Sequence, residues 1–218
     1  MTTQLEALNF EELVDHIAAW FGETLPRSED RRLLPPTLQE LAKGRPVSME
    51  ILAEHAGIPV EEAQAFLRRA GGEWDSTAKQ LIGWGLTHTP TPHRFRVNGH
   101  DLYTWCAADS IFFPVVIGAP ARIVSPCAAT GDLIHIDMDP SGVQHVEPAD
   151  AVVSIVTPSV DISDVRAAVC KAQNFYQSVE AAAPWHEEHP DGLLLPVKEV
   201  FELYRRAAEA VWEDQLPS

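Results

Sequence analysis

Cysteine is scarce in this chain of 218 residues, with Cys106, Cys127 and Cys170 the whole supply. An odd number at wide spacing, without a CxxC pair, excludes a disulfide scaffold and fits reduced thiols in a cytoplasm. No histidine sits beside a cysteine at metal-ligand spacing, which argues against structural zinc. A Cys-His nucleophile would need a histidine brought in by the fold, His135 and His145 being the reachable candidates. Basic residues are also few: 16 Lys and Arg stand against 32 Asp and Glu, a formal charge of -16. Such a surface repels phosphate backbones and anionic membranes, so no nucleic-acid or membrane partner is expected. No apolar stretch approaches the roughly 20 residues that span a bilayer, and "MTTQLEALNFEELVDH" lacks a basic-then-apolar signal pattern. A cytoplasmic location is expected. A Gly-rich phosphate loop is missing as well, which disfavours a nucleotide enzyme.

What remains is an ordinary globular composition, 45% apolar and 22% charged, on a chain long enough to bury a proper core. Leu5 to Phe21 carries apolar residues at helical spacing, and "GETLPRSEDRRLLPP" after it reads as a linker. "TLQELAKG", "SMEILAEHAG" and "PVEEAQAFLRRAG" predict three short helices. The middle of this stretch has helix-turn-helix spacing around Gly57, and the β-like runs "LIGWGLT" and "HRFRV" complete a winged-helix pattern. Its second helix offers only Arg68 and Arg69 as cations and leads with Glu61 and Glu62, which favours a structural module over a DNA reader.

From residue 99 the texture changes. "HDLYTWCAADSIFFPVVIG" reads as a buried helix interrupted or kinked near its end by Pro114. The runs "ARIVSP", "LIHIDM" and "AVVSIVTP" read as strands, "SDVRAAVCKAQNFYQS" as a short helix leading into an extended stretch, and "LPVKEVFELYRRAAEAVWEDQ" as an amphipathic helix. The expected class is α+β: a helix and linker over 1–33, a winged-helix-like helical module over 34–98, and a mixed or antiparallel sheet with flanking helices over 99–218.

One juxtaposition points to chemistry. If residues 101 to 113 are helical, Cys106 and Asp109 lie at i and i+3 on one face, dried by Trp105, Ile111, Phe112 and Phe113. A buried aspartate costs several kcal/mol unless it is paired or neutralised by an upward pKa shift, and no cation is near in sequence. A thiol beside such a group suits proton chemistry. Cys127, at a strand end before a glycine turn, and Cys170 read by themselves as packing cysteines.

The blocks "LYTWCAADSIFFPVVIG" (102–118), "ARIVSPCAATGDLIHIDMDPSGVQHVEPADAVVSIVTP" (121–158) and "DVRAAVCKAQNFYQS" (164–178) closely resemble consecutive blocks of the organomercurial lyase (alkylmercury lyase) family. "LQELAKGRPVSMEILAEHAGIP" (38–59) is similar to that family's N-terminal winged-helix region. The resemblance covers roughly residues 34 to 212, and the first 30 residues match nothing in it.

The resemblance implies an enzyme that cleaves carbon-mercury bonds by protonolysis, with an organomercurial substrate, and Hg(II) and a hydrocarbon as products. It places the reaction on Cys106, Asp109 and Cys170, which hold mercury as substrate and product, and a structural role on Cys127. Some relatives carry serine at the aspartate position; this chain keeps Asp109. Lys171, after the second cysteine, receives no role. Tyr103, Trp105 and Phe113 are expected to line the pocket. No resident cofactor is expected; external small thiols, or a mercuric reductase as partner, would take up the Hg(II). The preference of a soft cation for thiolate sulfur explains why two distant cysteines serve in place of a CxxC pair. The residues also leave open a winged-helix regulator that senses a thiophilic metal, and a protein that binds mercury without turnover.

Overall fold

The structure is a computed structural model, and it describes residues 5–217. The described residues begin with a single 3-10 turn, Leu5–Ala7, and then the helices α1 (Phe10–Thr24), α2 (Ser28–Arg31) and α3 (Leu34–Leu41). The expected helix from Leu5 to Phe21 is therefore broken. Asn9 stops the first turn and starts α1 through a capping box, accepting from Glu12 N–H while the Glu12 carboxylate accepts from Asn9 N–H. The expected linker is also structured: Leu25, Leu33, Leu34, Pro35 and Pro36 are all buried. Pro35 and Pro36 occupy the first turn of α3, where a missing N–H costs nothing.

Next come β1 (Val47–Ser48), α4 (Met49–Ala56) and α5 (Val60–Arg69). Gly57 ends α4 in the left-handed conformation at φ 65°. Strands β2 (Glu73–Trp74), β3 (Gln80–Trp84), β4 (Leu86–Thr87), β5 (His93–Val97) and β6 (His100–Thr104) follow, then α6 (Ala107–Ile117) and β7 (Ala121–Pro126), β8 (Leu133–Asp139) and β9 (Gly142–Glu147). All pair antiparallel in one nine-stranded sheet, ordered β1-β3-β4-β6-β5-β7-β8-β9 with β2 beside β3. The junction between residues 98 and 99 falls at the turn of the β5–β6 hairpin, where Asn98 and Gly99 both have positive φ. One sheet thus runs through that junction.

The remaining elements are β10 (Val152–Ile155), a π-helical turn (Arg166–Cys170), β11 (Phe175–Tyr176), α7 (Ala183–Glu188), β12 (Leu193–Pro196) and α8 (Val197–Trp212). They include a second antiparallel sheet, ordered β11-β10-β12. No helix among the described residues is long and apolar enough to cross a membrane.

Helix α6 is the centre of the packing. Every residue from Ser110 to Ile117 is buried, as expected of a helix that is apolar all round. It touches α3, α8, strands β5 to β8, and β10. The apolar stripe of α8 (Val197, Val200, Phe201, Tyr204, Ala207, Ala208) packs against it and α1. Phe21 of α1, Phe112 of α6 and Trp212 of α8 meet there, with ring centroids 5.0 to 5.8 Å apart.

The helix expected over residues 101–113 is half strand. Residues 100–104 form β6, paired with β5 along its whole length, and the helix starts only after Cys106. The alternation along β6 buries Leu102 and Thr104 and turns Tyr103 toward the other face. Helix α6 runs through Pro114 to Gly118, whose N–H bonds to the Pro114 carbonyl.

Gly85, between β3 and β4, has φ +75°, and a Cβ there would lie 2.6 Å from Phe113 Cζ. Its carbonyl accepts from Trp105 N–H at 2.8 Å. Gly85→Ala is expected to cost about 2 kcal/mol, from backbone strain plus overpacking against α6. A fall in the urea midpoint with an unchanged m-value is the check.

Candidate active site

Cys106 is the N-cap of α6, in extended conformation, and its Sγ accepts the Asp109 N–H at 3.4 Å. The sequence spacing thus brings the two residues together as cap and third helical residue rather than as neighbours inside a helix. This aims the positive end of the helix at the sulfur. Cys170 arrives from the far side, at the end of the π-helical turn Arg166–Cys170. The thiol sulfurs of Cys106 and Cys170 and a carboxylate oxygen of Asp109 all lie within 4.8 Å of one another.

The trio faces a cavity of about 100 Å³. Its walls are mainly aromatic and aliphatic, including Trp84, Trp105, Phe112, Phe113, Val169 and Tyr204. Of the three residues expected to line it, Trp105 and Phe113 do so. Tyr103 does not, because strand alternation sends it to the opposite face of β6. Cys127 stands apart, buried in the turn after β7 with its N–H bonded to the Asp132 carbonyl. Burial pushes its thiol up, but hydrogen bonds from Thr130 and the backbone of Gln177, Thr130 and Ala129 outweigh that and hold it below the ordinary value. His135 and His145 lie exposed on β8 and β9 and line no part of the cavity.

Burial dominates the electrostatics of the trio. It pushes Asp109 up to about 7, against the pull of the Cys106 hydrogen bonds and the Arg166 charge. Asp109 keeps some surface toward the cavity, but its Oδ2 is fully covered and has no hydrogen-bond partner. Burial also drives the Cys106 thiol well above its ordinary value, helped by its hydrogen bond with Cys170 and by the nearby Asp109 charge. Burial therefore favours the protonated forms of Cys106 and Asp109, and leaves the carboxyl able to exchange a proton near neutral pH.

Two further residues complete the site without a local signal in the sequence. Gln173 is buried, three residues past Cys170. Its Nε2 donates to the Val156 carbonyl at 3.0 Å, which orients Oε1 toward the Cys106 thiol at 3.7 Å. Its backbone carbonyl accepts the Ala107 N–H. Glu73, from β2, accepts from Trp105 Nε1 at 2.8 Å and from Arg166 at 2.7 Å, while Arg166 lies 4.5 Å over the Trp105 ring. Burial pushes Glu73 up, but hydrogen bonds from Thr89, Thr87 and Trp105 and the Arg166 charge hold it below the usual carboxylate range. Only convergence in space could reveal either residue.

Known proteins resemble this chain over most of its length. The family model for alkylmercury lyase matches residues 86–209. The chain is 42% identical to an alkylmercury lyase of Staphylococcus epidermidis, over 85% of each chain. It is 42% identical to one of Streptomyces lividans over 84% of each, and 43% identical to one of Bacillus cereus over 79% of each. This chain belongs to the alkylmercury lyase family. The fold matches the mercury-bound form of MerB2 with a TM-score of 0.73, covering 92% of this chain and 99% of that one at 22% identity.

The raised Asp109 makes stability depend on pH. Below about pH 4 both folded and unfolded chains hold the proton. Between the ordinary aspartate value of 3.8 and about 7 only the folded one does. Stability from this group therefore falls as pH rises through that window, by about 1.4 kcal/mol per unit at most, and is flat above it. Asp109→Asn lacks this slope. Urea unfolding at pH 5.5 and pH 8 should show the variant gaining about 2 kcal/mol on the wild type at the higher pH.

Proposed function

We propose that the chain cleaves the carbon-mercury bond of organomercurials by protonolysis, releasing a hydrocarbon and Hg(II). The observation that carries this reading is the meeting of two thiols and one protonatable carboxyl in a dry cavity. A soft metal is held by sulfur, and a carboxyl near pKa 7 can both take and give a proton at neutral pH.

In this reading Cys106 passes its proton to Asp109, and its sulfur bonds to mercury as the substrate's other ligand leaves. Asp109 hands that proton to the departing ligand, and the Cys170 sulfur then joins the metal as its own proton passes to Asp109. Two sulfur donors push electron density onto the Hg–C bond, and the carboxylic acid of Asp109 protonates the carbon as that bond breaks. Two thiol protons are consumed: one leaves in the hydrocarbon and one with the displaced ligand. The apolar walls favour both transfers, since they keep the acid neutral and keep competing water away. Mercury here is substrate and product; no resident cofactor is called for. Two external thiols exchange with the protein sulfurs to remove Hg(II), and a mercuric reductase is a suitable acceptor.

Trp105 and Phe113 serve as pocket wall and Cys127 as a structural residue. On this reading the winged-helix-like module over 34–98 supplies Glu73, and 99–218 is the catalytic core. The acidic surface favours approach of cationic R–Hg(II) species and suits a cytoplasmic protein that leaves nucleic acid alone.

Hydrocarbon release from methylmercury and phenylmercury, with excess small thiol, tests the reading. Cys106→Ser and Cys170→Ser should each abolish turnover. Asp109→Ala should still bind mercury but release no hydrocarbon, and Cys127→Ser should lower stability while keeping turnover. Stoichiometric mercury binding by the wild type without benzene or methane would overturn the proposal.

A further inference from the structure

Helix α1 lies outside the residues that the family model matches, yet it walls the site. Trp20, Phe21 and Thr24, with Leu25 just beyond, line the same cavity as the catalytic trio. On the outer side runs a larger groove of about 710 Å³ whose lining includes His16, Glu23, His189 and Asp191. Among the lining residues of the two spaces, Trp20 alone borders both. The rest of the partition comes from the Cys170 segment: Val169 and Cys170 face the cavity, while Ala168 and Ala172 face the groove.

Mercury bound to carbon and one sulfur prefers a linear arrangement, so the organic group must point away from the attacking thiol into this apolar space. At about 100 Å³ the inner cavity is smaller than the roughly 150 Å³ apolar cavity that accepts benzene in another protein. A methyl or ethyl group fits within it. A phenyl group has to displace part of the wall. Phe112 and Tyr204 are tied into the aromatic core between α6 and α8 and cannot yield cheaply. Trp20 has the outer groove behind it, and its indole is held by one hydrogen bond, from Nε1 to the Pro158 carbonyl at 3.0 Å, and by a single ring contact, with Phe21 at 5.5 Å.

We infer that Trp20 is the specificity-determining wall of the pocket, and that organic groups too large for the inner cavity extend past it into the outer groove. This rests on the lyase reading above, which it deepens by naming what sets the size of the organic group. The side chain acts by contact with that group and takes no part in proton transfer.

The test compares kcat/KM for hydrocarbon release from methylmercury and phenylmercury, with excess thiol, in wild type, Trp20→Ala and Trp20→Phe. The phenyl-to-methyl ratio should rise at least about tenfold in Trp20→Ala, within the range expected for pocket-size discrimination. Trp20→Phe keeps most of the packing but loses the bond to Pro158; its ratio should rise by a smaller factor, about threefold. That variant carries the test if Trp20→Ala does not fold. Ratios within twofold of wild type in the folded variants, with methane still released, would overturn the inference and leave the lyase reading intact. If no variant releases hydrocarbon, the lyase reading fails instead. Association of the two mercurials with the thiols, followed by intact mass spectrometry, then reads the same ratio without turnover.

Discussion

Everything at the site depends on how the N-terminus of α6 is satisfied. A helix that starts inside an apolar core must find acceptors for its first N–H groups, since an unpaired one costs several kcal/mol in the absence of water. Here Cys106 Sγ takes the Asp109 N–H and the Gln173 carbonyl takes the Ala107 N–H. The first bond fixes one thiol against the carboxyl. The second ties the segment carrying Cys170 to the same helix end, so the demands of one buried terminus bring the three reactive groups together.

The same burial sets their protonation. Asp109 and Cys106 both resist ionisation for want of solvent, and Arg166 is the cation that acts on Asp109 from nearby. That cation is not free to pair with the aspartate. Glu73 binds it at 2.7 Å and also holds the Trp105 indole, so much of its charge is spent outside the cavity. A carboxyl paired directly with a guanidinium would sit well below neutrality and could not deliver a proton to carbon. With Arg166 paired to Glu73, burial prevails and Asp109 sits near 7.

The trio was legible in the sequence because its members are chemically unusual there: a sparing use of cysteine, an aspartate in an apolar run, and the resemblance of the surrounding blocks. The local geometry was less so. An apolar run such as residues 100–113 fits a buried helix and a strand-to-helix turn equally well by periodicity, and pairing of β6 with β5, a tertiary event, decides between them. Tyr103 was misplaced for the same reason, because a switch in period changes which side chains share a face. Prolines and charges made residues 22–36 look like a linker, although two of those prolines start α3. Gln173 and Glu73 carry no motif; their importance comes from partners 67 and 32 residues away.

Long separation between the two sulfurs has a physical consequence of its own. In a CxxC pair both thiols sit on one turn, so the metal site exists whenever that turn is folded, and a thiophilic ion is held tightly. Here Cys170 ends a π-helical turn whose first three residues, Arg166, Ala167 and Ala168, are exposed, with a groove behind it, while Cys106 is fixed to α6, buried from Ser110 to Ile117. A shift confined to the turn that carries Cys170 costs only local contacts, and in the proposed reaction it would open one of the two sulfur bonds to an external thiol while the Gln173 carbonyl still holds the Ala107 N–H of α6. An enzyme that must release a soft metal after each turnover needs one firm ligand to orient the reaction and one that can give way. In the proposed reaction Cys106, on the core helix, is the firm ligand, and Cys170, on the π-helical turn, is the one that gives way.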